Sequence, residues 1–211
     1  MSEAKLAGNG AELVRERALA ARIQGALERI YRLDRVADVG DFLCRAGDGE
    51  RESLLLREHD DGALEVGLQL PALCGTVPDA NLDTICQIIE GVSHFVFVVE
   101  RARTGRSTTQ LELELQAEVD KWVVLAASMQ TLDVGASAGL RARLYEQVSF
   151  AHSKESELGE RYRVANDAAH RFVRRLERDY LGRARFRELR SELRFFFEVG
   201  QQDKLRLGRA A

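Results

Sequence analysis

The chain has 211 residues, of which 45% are hydrophobic and 31% charged, and its formal net charge is −3. This composition is typical of a folded globular protein and excludes a wholly disordered chain. The sequence lacks both a run of about 18 uncharged apolar residues and a basic-then-apolar N-terminus. We therefore expect a cytoplasmic protein without a membrane-spanning helix or a secretory signal.

The spacing of the apolar residues predicts the fold class. It indicates an α+β protein that is predominantly α-helical, with five to six helices in a bundle-like core. One small antiparallel β-hairpin or three-stranded sheet is expected at about residues 36–70. Helices are predicted at residues 11–33, 83–103, 110–130, 139–150, 155–180 and 183–199. Residues 200–211 are predicted to form a frayed tail.

Residues 53–70 carry the strongest strand pattern, because apolar residues alternate on both sides of Asp60-Asp61-Gly62. A three-residue loop with Gly62 in the left-handed conformation places Leu56 opposite Val66 and aligns the two apolar faces. A two-residue loop shifts this register by one residue, and we predict the first arrangement. Residues 36–44 fit either one or two helical turns or a short third strand.

The two central helices are predicted to form an αα-hairpin. Asn81 or Asp83 can cap the first helix, and Thr109 with Glu112 fits the capping box of the second. Residues 110–119 also alternate in the manner of a strand, so a long β-hairpin is the alternative. Their Leu, Glu, Gln and Ala residues are strong helix formers, and this favours the helix.

The glycine-rich stretch 135–139 is the most plausible boundary within the chain. Residues 1–134 form an N-terminal α+β part with the hairpin and the central αα-hairpin. Residues 135–211 form an arginine-rich helical part, which we expect to pack on the first as one domain. From Gly139 onward there are 17 Lys and Arg against 11 Asp and Glu, a balance of +6, and the preceding residues carry −9.

The first central helix carries one narrow polar stripe among apolar residues, formed by Asp83, Gln87, Glu90, His94 and Arg101. Such a stripe is either the solvated edge of a buried helix or a polar line that faces a pocket. A solvated edge is the commoner explanation.

Four residues of the two predicted central helices form a candidate polar cluster: Glu90, His94, Glu114 and Glu118. Glu90 and His94 are one turn apart, as are Glu114 and Glu118, so both pairs can point at one centre if the αα-hairpin forms. Carboxylates and imidazole are ligands for hard or borderline metals, and the candidate metal ligands are Glu90, His94 and Glu118.

The same cluster has a structural alternative, a buried salt-bridge network. It would pair Glu118 with Lys121 or Arg101, and Glu90 with His94. Asp167 and His170 of the long C-terminal helix could complete a metal cluster, although they fall off the apolar stripe of that helix.

Arg163 and His170, separated by six residues on a predicted helix, resemble the R-x4-6-H signature of the HEPN ribonucleases. This resemblance implies RNA cleavage in the cleft of a dimer, with His170 as acid or base and Arg163 holding the phosphate. Those proteins usually carry a polar residue after the arginine, where this chain has Val164. The alternative interpretation is a solvated helix face.

Residues 171–194 contain nine arginines with interleaved aromatic residues. The candidate phosphate or nucleic-acid contacts are Arg171, Arg174, Arg175 and Arg178. The interleaved acids favour a different explanation, in which the arginines pair with Glu one turn away or with the acidic N-terminal half. Phe195, Phe196 and Phe197 form an apolar line on which a second subunit could dock.

The leading functional hypothesis is a cytoplasmic, non-enzymatic interaction or regulatory protein that acts through helical surfaces, with a protein partner or by self-association. The alternative is a metal-binding protein or enzyme with the carboxylate and histidine cluster. A further alternative is nucleic-acid binding through the arginine-rich helices. The sequence contains no P-loop, GxGxxG, GxSxG or HExxH motif, so it indicates no particular cofactor or reaction.

Overall fold

The structure is a computed structural model that describes residues 13–34, 37–47, 51–58, 64–73 and 81–209. Within these ranges it contains seven α-helices and a three-stranded sheet, which confirms the predominantly helical α+β fold class. The helices are α1 Val14–Tyr31, α2 Leu82–Arg103, α3 Gln110–Ser128, α4 Val134–Arg141, α5 Glu157–Asp179, α6 Phe186–Glu198 and α7 Gln201–Arg209. The strands are β1 Leu43–Arg45, β2 Ser53–Glu58 and β3 Leu64–Leu70.

The sheet has the order β1-β3-β2, with β1 parallel and β2 antiparallel to β3. Leu54 lies opposite Leu68 and Leu56 opposite Val66, so the predicted register is confirmed. The turn that joins these strands, with Gly62, lies outside the described residues. The segment before β1 contains both predicted alternatives, because a 3-10 turn at Val39–Phe42 leads directly into the strand.

The αα-hairpin of α2 and α3 is confirmed, and the extended alternative for residues 110–119 is wrong. The capping box is present: Glu112 N donates to Thr109 Oγ1, and the Glu112 carboxylate accepts from Thr109 N at 2.9 Å. Asn81 caps α2, accepting from the backbone N–H of Asp83. Gly105 follows α2 with a φ of 65°, a left-handed conformation that favours glycine.

The hydrophobic core is centred on α2, which packs against α1, α3 and the sheet. The length and composition of α2 would allow this helix to cross a membrane, but 61% of its most apolar 18-residue stretch is buried inside the protein. Its largest core side chains are essentially inaccessible: Ile88, Ile89, Val92, Phe95 and Phe97. Buried apolar side chains on both sides of position 134 belong to one continuous cluster.

A buried polar network joins one face of α3 to four other helices, α1, α2, α6 and α7. Asp120 accepts hydrogen bonds from the hydroxyls of Tyr31 and Ser93 and, at 3.0 Å, from the Gln116 side chain. The Lys204 ammonium donates to Gln116 Oε1 at 2.5 Å and to a backbone carbonyl of α6 at 2.7 Å. These bonds satisfy polar groups that would otherwise be expensive to bury.

The prediction of a frayed C-terminal tail is wrong, because Gln201–Arg209 forms α7 and packs on α5. Periodicity did not reveal this helix because its two buried residues are a lysine and a glycine, Lys204 and Gly208. The Lys204 ammonium lies over the rings of Phe97 and Phe196 at 4.9 and 4.3 Å, which are favourable cation–π distances.

The helix predicted at 139–150 lies earlier in the chain. Asp133 caps it by accepting from Ala136 N, so α4 begins at Val134 and includes both Gly135 and Gly139. After Arg141 the helix widens into a π-helical turn, Ala142–Glu146. The glycine-rich stretch is therefore helical rather than a loop.

The close packing of α7 on α5 gives a stability prediction. A Cβ at position 208 would lie 2.8 Å from the backbone oxygen of Ala168 and 3.0 Å from its Cβ. Gly208→Ala should therefore lower the free energy of unfolding by about 1–3 kcal/mol, although alanine is the better helix former. Urea unfolding followed by circular dichroism measures this change.

Gly139→Ala in α4 is the matched control. A Cβ there would meet nothing within 4 Å, so the variant should be stabilised by about 0.5–1 kcal/mol. Equal responses of the two variants would show that α7 does not depend on close contact with α5.

Candidate metal centre and cavity

A cavity of about 530 Å³ opens beside the N-terminal half of α2. Its walls come from residues 81–90, residues 118–121 of α3, residues 143–152, Tyr162 of α5, and residues 51–52 before β2. The volume is in the range of small-molecule sites in proteins. Both polar and apolar side chains line it, so it is neither a simple salt-bridge pocket nor a hydrophobic void.

The interpretation of the polar stripe as a solvated edge is wrong for most of its members. Gln87, Glu90 and Arg101 are buried, and Glu90 is only 3% exposed. Asp83 alone among the five is exposed, and it accepts from the Gln87 side chain at 2.7 Å. The stripe therefore faces protein and cavity rather than solvent.

Arg101 lies away from the candidate cluster. Its guanidinium donates to the carbonyl oxygens of Glu198 and Val199 at the end of α6, and it lies 3.6 Å from Glu112. It therefore supplies hydrogen-bond donors to carbonyl groups at a helix C-terminus, which have no partner within the helix. The alternative pairing of Arg101 with Glu118 is wrong.

Lys121 connects the two central helices at the inner wall of the cavity. Its ammonium nitrogen lies 3.0 Å from Glu90 and 2.8 Å from Glu118. One lysine thus serves two buried carboxylates, and Glu90 pairs with Lys121 in this network. Glu118, a predicted metal ligand, is held by this ammonium.

Three of the candidate residues form a compact group of possible metal ligands. One ligand atom from each of Glu90, His94 and Glu114 lies within 4.8 Å of the others. His94 Nε2 and Glu114 Oε2 are 3.8 Å apart, too far for a hydrogen bond. Both atoms are inaccessible and have no hydrogen-bond partner within the described ranges of the chain. Glu114 takes the third place in this group instead of the predicted Glu118.

Two residues that sequence reasoning missed complete the surroundings of this group. Arg161 of α5 lies 3.8 Å from Glu114 Oε1 and so faces the other oxygen of that carboxylate. Glu52 reaches the cavity because Gly91 lets the sheet lie close to α2. A Cβ at position 91 would approach Leu68 and Leu70 to 3.0 Å.

The sequence held a signal for each of these two residues. Arg161 precedes Ala165 by four residues and therefore lies in line with the apolar stripe of α5. Glu52 precedes Leu54 by two residues, which places it on the apolar face of the predicted strand. Charged residues in line with a buried face are candidates for a functional site.

Burial controls the protonation of the unpaired acids. Burial, together with the nearby Glu90, raises the pKa of Glu114 to about 8 and that of Glu52 to about 8. Burial also lowers the pKa of His94, so its imidazole is neutral at pH 7. Burial is the largest influence on Glu90 and opposes its ionisation, but Lys121 and the other neighbouring groups together outweigh it, and the net shift of that pKa is downward.

The structure does not bring Asp167 and His170 to this group. Asp167 pairs with Arg171 on the exposed face of α5, and His170 lies 3.2 Å from Glu146. Arg163 donates to the carbonyl oxygens of Gly159 and His152. The arginine and histidine of the ribonuclease-like pattern are therefore engaged with different partners.

The candidate nucleic-acid arginines have mostly internal partners. Arg171 pairs with Asp167, Arg178 with Asp179, and Arg175 with Glu192 at 2.6 Å. Arg174 is exposed and has no ion pair within the part of the chain that the structure describes. This pairing follows the alternative in which interleaved acids neutralise the arginines.

The apolar line at the end of α6 is mostly internal. Phe196 and Phe197 belong to the hydrophobic core, and only Phe195 is exposed. The prediction of a three-residue apolar docking line is therefore wrong. Helical periodicity explains the division, because three consecutive residues cannot share one face of a helix.

Comparison with known proteins adds no functional information. No family, curated protein or solved structure matches the chain.

The raised pKa of Glu114 gives a stability prediction. The folded protein retains this proton up to about pH 8, whereas the unfolded chain loses it near pH 4.5. The folded state then binds more protons between these values, so stability falls as pH rises through the interval. In the presence of chelator, Glu114→Gln should raise the free energy of unfolding by at least about 1 kcal/mol at pH 8, with little change at pH 5.

Glu177→Gln is the control for a buried carboxylate with good partners. Glu177 accepts from Ser137 Oγ and Arg141 Nε, both at 2.7 Å, so this variant should lose about 1–3 kcal/mol at both pH values. Urea unfolding measures both variants. A comparable loss in Glu114→Gln would identify Glu114 as a structural partner of Arg161.

Proposed function

We propose that this chain is a divalent-metal-binding protein whose ligands are Glu90, His94 and Glu114. One observation carries the proposal: two buried ligand atoms, His94 Nε2 and Glu114 Oε2, face each other without a hydrogen-bond partner. Buried polar atoms in folded proteins nearly always have partners, and an orphaned pair calls for an explanation such as a bound ion.

The ligand chemistry supports a borderline metal. A neutral imidazole with two carboxylates is a donor set that suits Zn²⁺, Mn²⁺, Fe²⁺ or Co²⁺. Three protein ligands leave at least one coordination position for water or another small ligand, as in catalytic metal sites. Burial keeps His94 neutral, which leaves a ring nitrogen lone pair for the metal.

The neighbouring charges support the same site. Glu114 Oε1 lies 3.8 Å from Arg161 while its Oε2 faces His94, so the guanidinium attracts the carboxylate through charge without a hydrogen bond. Such supporting contacts are typical of residues that surround metal ligands. Lys121 neutralises part of the charge of Glu90 and limits the net negative charge that attracts the ion. We therefore expect selectivity to come from the imidazole rather than from acidic charge alone.

The interaction-protein hypothesis and its nucleic-acid alternative stay predictions. The metal hypothesis is preferred because its residues meet in one place and leave two buried atoms without partners. A protein whose polar stripe served only its fold would instead be expected to satisfy those atoms internally.

Metal titration tests the proposal. Protein freed of metal with chelator and then dialysed should bind one Zn²⁺ or Co²⁺ per chain, measured by calorimetry and by elemental analysis. His94→Gln and Glu114→Gln should each weaken binding by at least about tenfold, because loss of a ligand should exceed the usual effect of losing a supporting contact.

Two control variants define the site. His170→Gln removes a histidine that lies with Arg141 and Glu146, away from the proposed ligands, and should leave the affinity unchanged. Glu118→Gln should have little effect, because Lys121 holds that carboxylate. Failure of the wild-type protein to bind any of the tested metals stoichiometrically would refute the proposal.

A further inference from the structure

The cavity beside the proposed metal site contains a second unsatisfied group. Glu52 lies at its wall with its side chain only 6% exposed. Its Oε2 atom is buried and has no hydrogen-bond partner among the residues that the structure describes. Arg51 Nε lies 3.9 Å from this atom, beyond hydrogen-bond distance.

The inner wall of the cavity has more carboxylates than cations. Glu52, Glu90 and Glu118 line it together with a single buried cation, the Lys121 ammonium, whereas the Arg51 side chain beside Glu52 is 51% exposed. Lys121 is already bonded to Glu118 and paired with Glu90. A ligand that brings a positive charge and N–H donors to Glu52 would favour the ionised form of this carboxylate and supply the hydrogen bond that its Oε2 atom lacks.

The wall of the cavity also carries an exposed cation. Arg143 is exposed there and has no ion pair within the described residues. It lies on the π-helical turn, which is fixed from both sides: Tyr145 donates to the carbonyl of Glu118, and Asn166 donates to the carbonyl of Tyr145. π-helical turns occur often at functional sites, where they redirect side chains.

Apolar side chains line the same cavity. Leu82, Leu144 and Val148 lie on its wall. Small-molecule sites typically combine an apolar wall with a few polar groups that fix the orientation of the ligand. A buried acceptor and an exposed cation on the wall of one cavity would orient a ligand with two opposite charges.

We propose that this cavity binds a small zwitterion, in which an apolar body joins a protonated amine to a carboxylate. The ammonium donates to Glu52 Oε2, the carboxylate pairs with Arg143, and the apolar body lies against Leu82, Leu144 and Val148. A free amino acid with an apolar side chain belongs to this chemical class. The site is separate from the metal ligands except for Glu90, which borders both.

Three probes that share a phenyl group distinguish the contact with Glu52 from the contact with Arg143. Phenylalanine carries both charges, phenethylamine carries only the amine, and 3-phenylpropionate carries only the carboxylate. In calorimetric titrations of the wild-type protein with chelator present, phenylalanine should bind most tightly and phenethylamine more weakly. Phenylpropionate should bind least, because the acidic inner wall repels it.

Two variants assign the contacts. Glu52→Gln should weaken the binding of both amines at least tenfold, and Arg143→Gln should weaken phenylalanine alone. Glu65→Gln on β3 is the matched control in the same sheet, where the carboxylate pairs with Arg57 on an exposed surface, and it should change neither affinity. Thermal unfolding of each variant verifies that it is folded.

Several outcomes would overturn the proposal. Absence of binding by all three probes at millimolar concentration would do so, as would unchanged amine affinity in folded Glu52→Gln. Phenylpropionate binding as tightly as phenethylamine would show that the inner wall does not select a cation. Because chelator is present, none of these outcomes depends on the metal site.

Discussion

The enclosure of α3 is the constraint on which the rest of the structure depends. This helix contacts α1, α2, α4, α5 and α7, yet it carries acidic residues on two faces. A charge removed from water is unfavourable unless it is paired or protonated. Each acid on α3 must therefore find an internal partner, keep a proton or bind an ion.

The two faces of α3 meet this requirement in different ways. Asp120 accepts from Tyr31, Ser93 and Gln116, a set that satisfies it and ties the helices together. Glu114, on the other face, has one oxygen without a partner and keeps its proton near neutral pH. The first arrangement is that of a structural network. The second arrangement, an unpartnered buried carboxyl group, lowers the stability of the fold, which is typical of groups placed for binding rather than for stability.

Local sequence signals predicted much of the fold. The capping box of α3, the stripe of α5 and the alternation of β2 and β3 each depend on residues a few positions apart. The misleading alternation at residues 110–119 has a physical cause, because a helix enclosed on all sides need not show a polar and an apolar face. The α7 helix could not be predicted locally, since the burial of Lys204 and Gly208 depends on the surfaces of α5 and α6.

Part of the candidate site was also predictable from local sequence spacing. Helical spacing places Glu90 with His94 and Glu114 with Glu118, but it does not give the rotation of α3 against α2. That rotation directs Lys121 to Glu90 and Glu114 to His94. The position of Glu52 required the sheet to dock on α2, a long-range contact without a local pattern.

The use of lysine in this chain has a practical consequence for chemical labelling. Only four of the 31 basic residues are lysines, at positions 5, 121, 154 and 204. Lys154 is exposed, whereas the amines of Lys121 and Lys204 are held by internal acceptors in separate parts of the fold. Acylation of these two amines, followed over time by mass spectrometry, would therefore report separately on opening of the cavity wall and on release of α7.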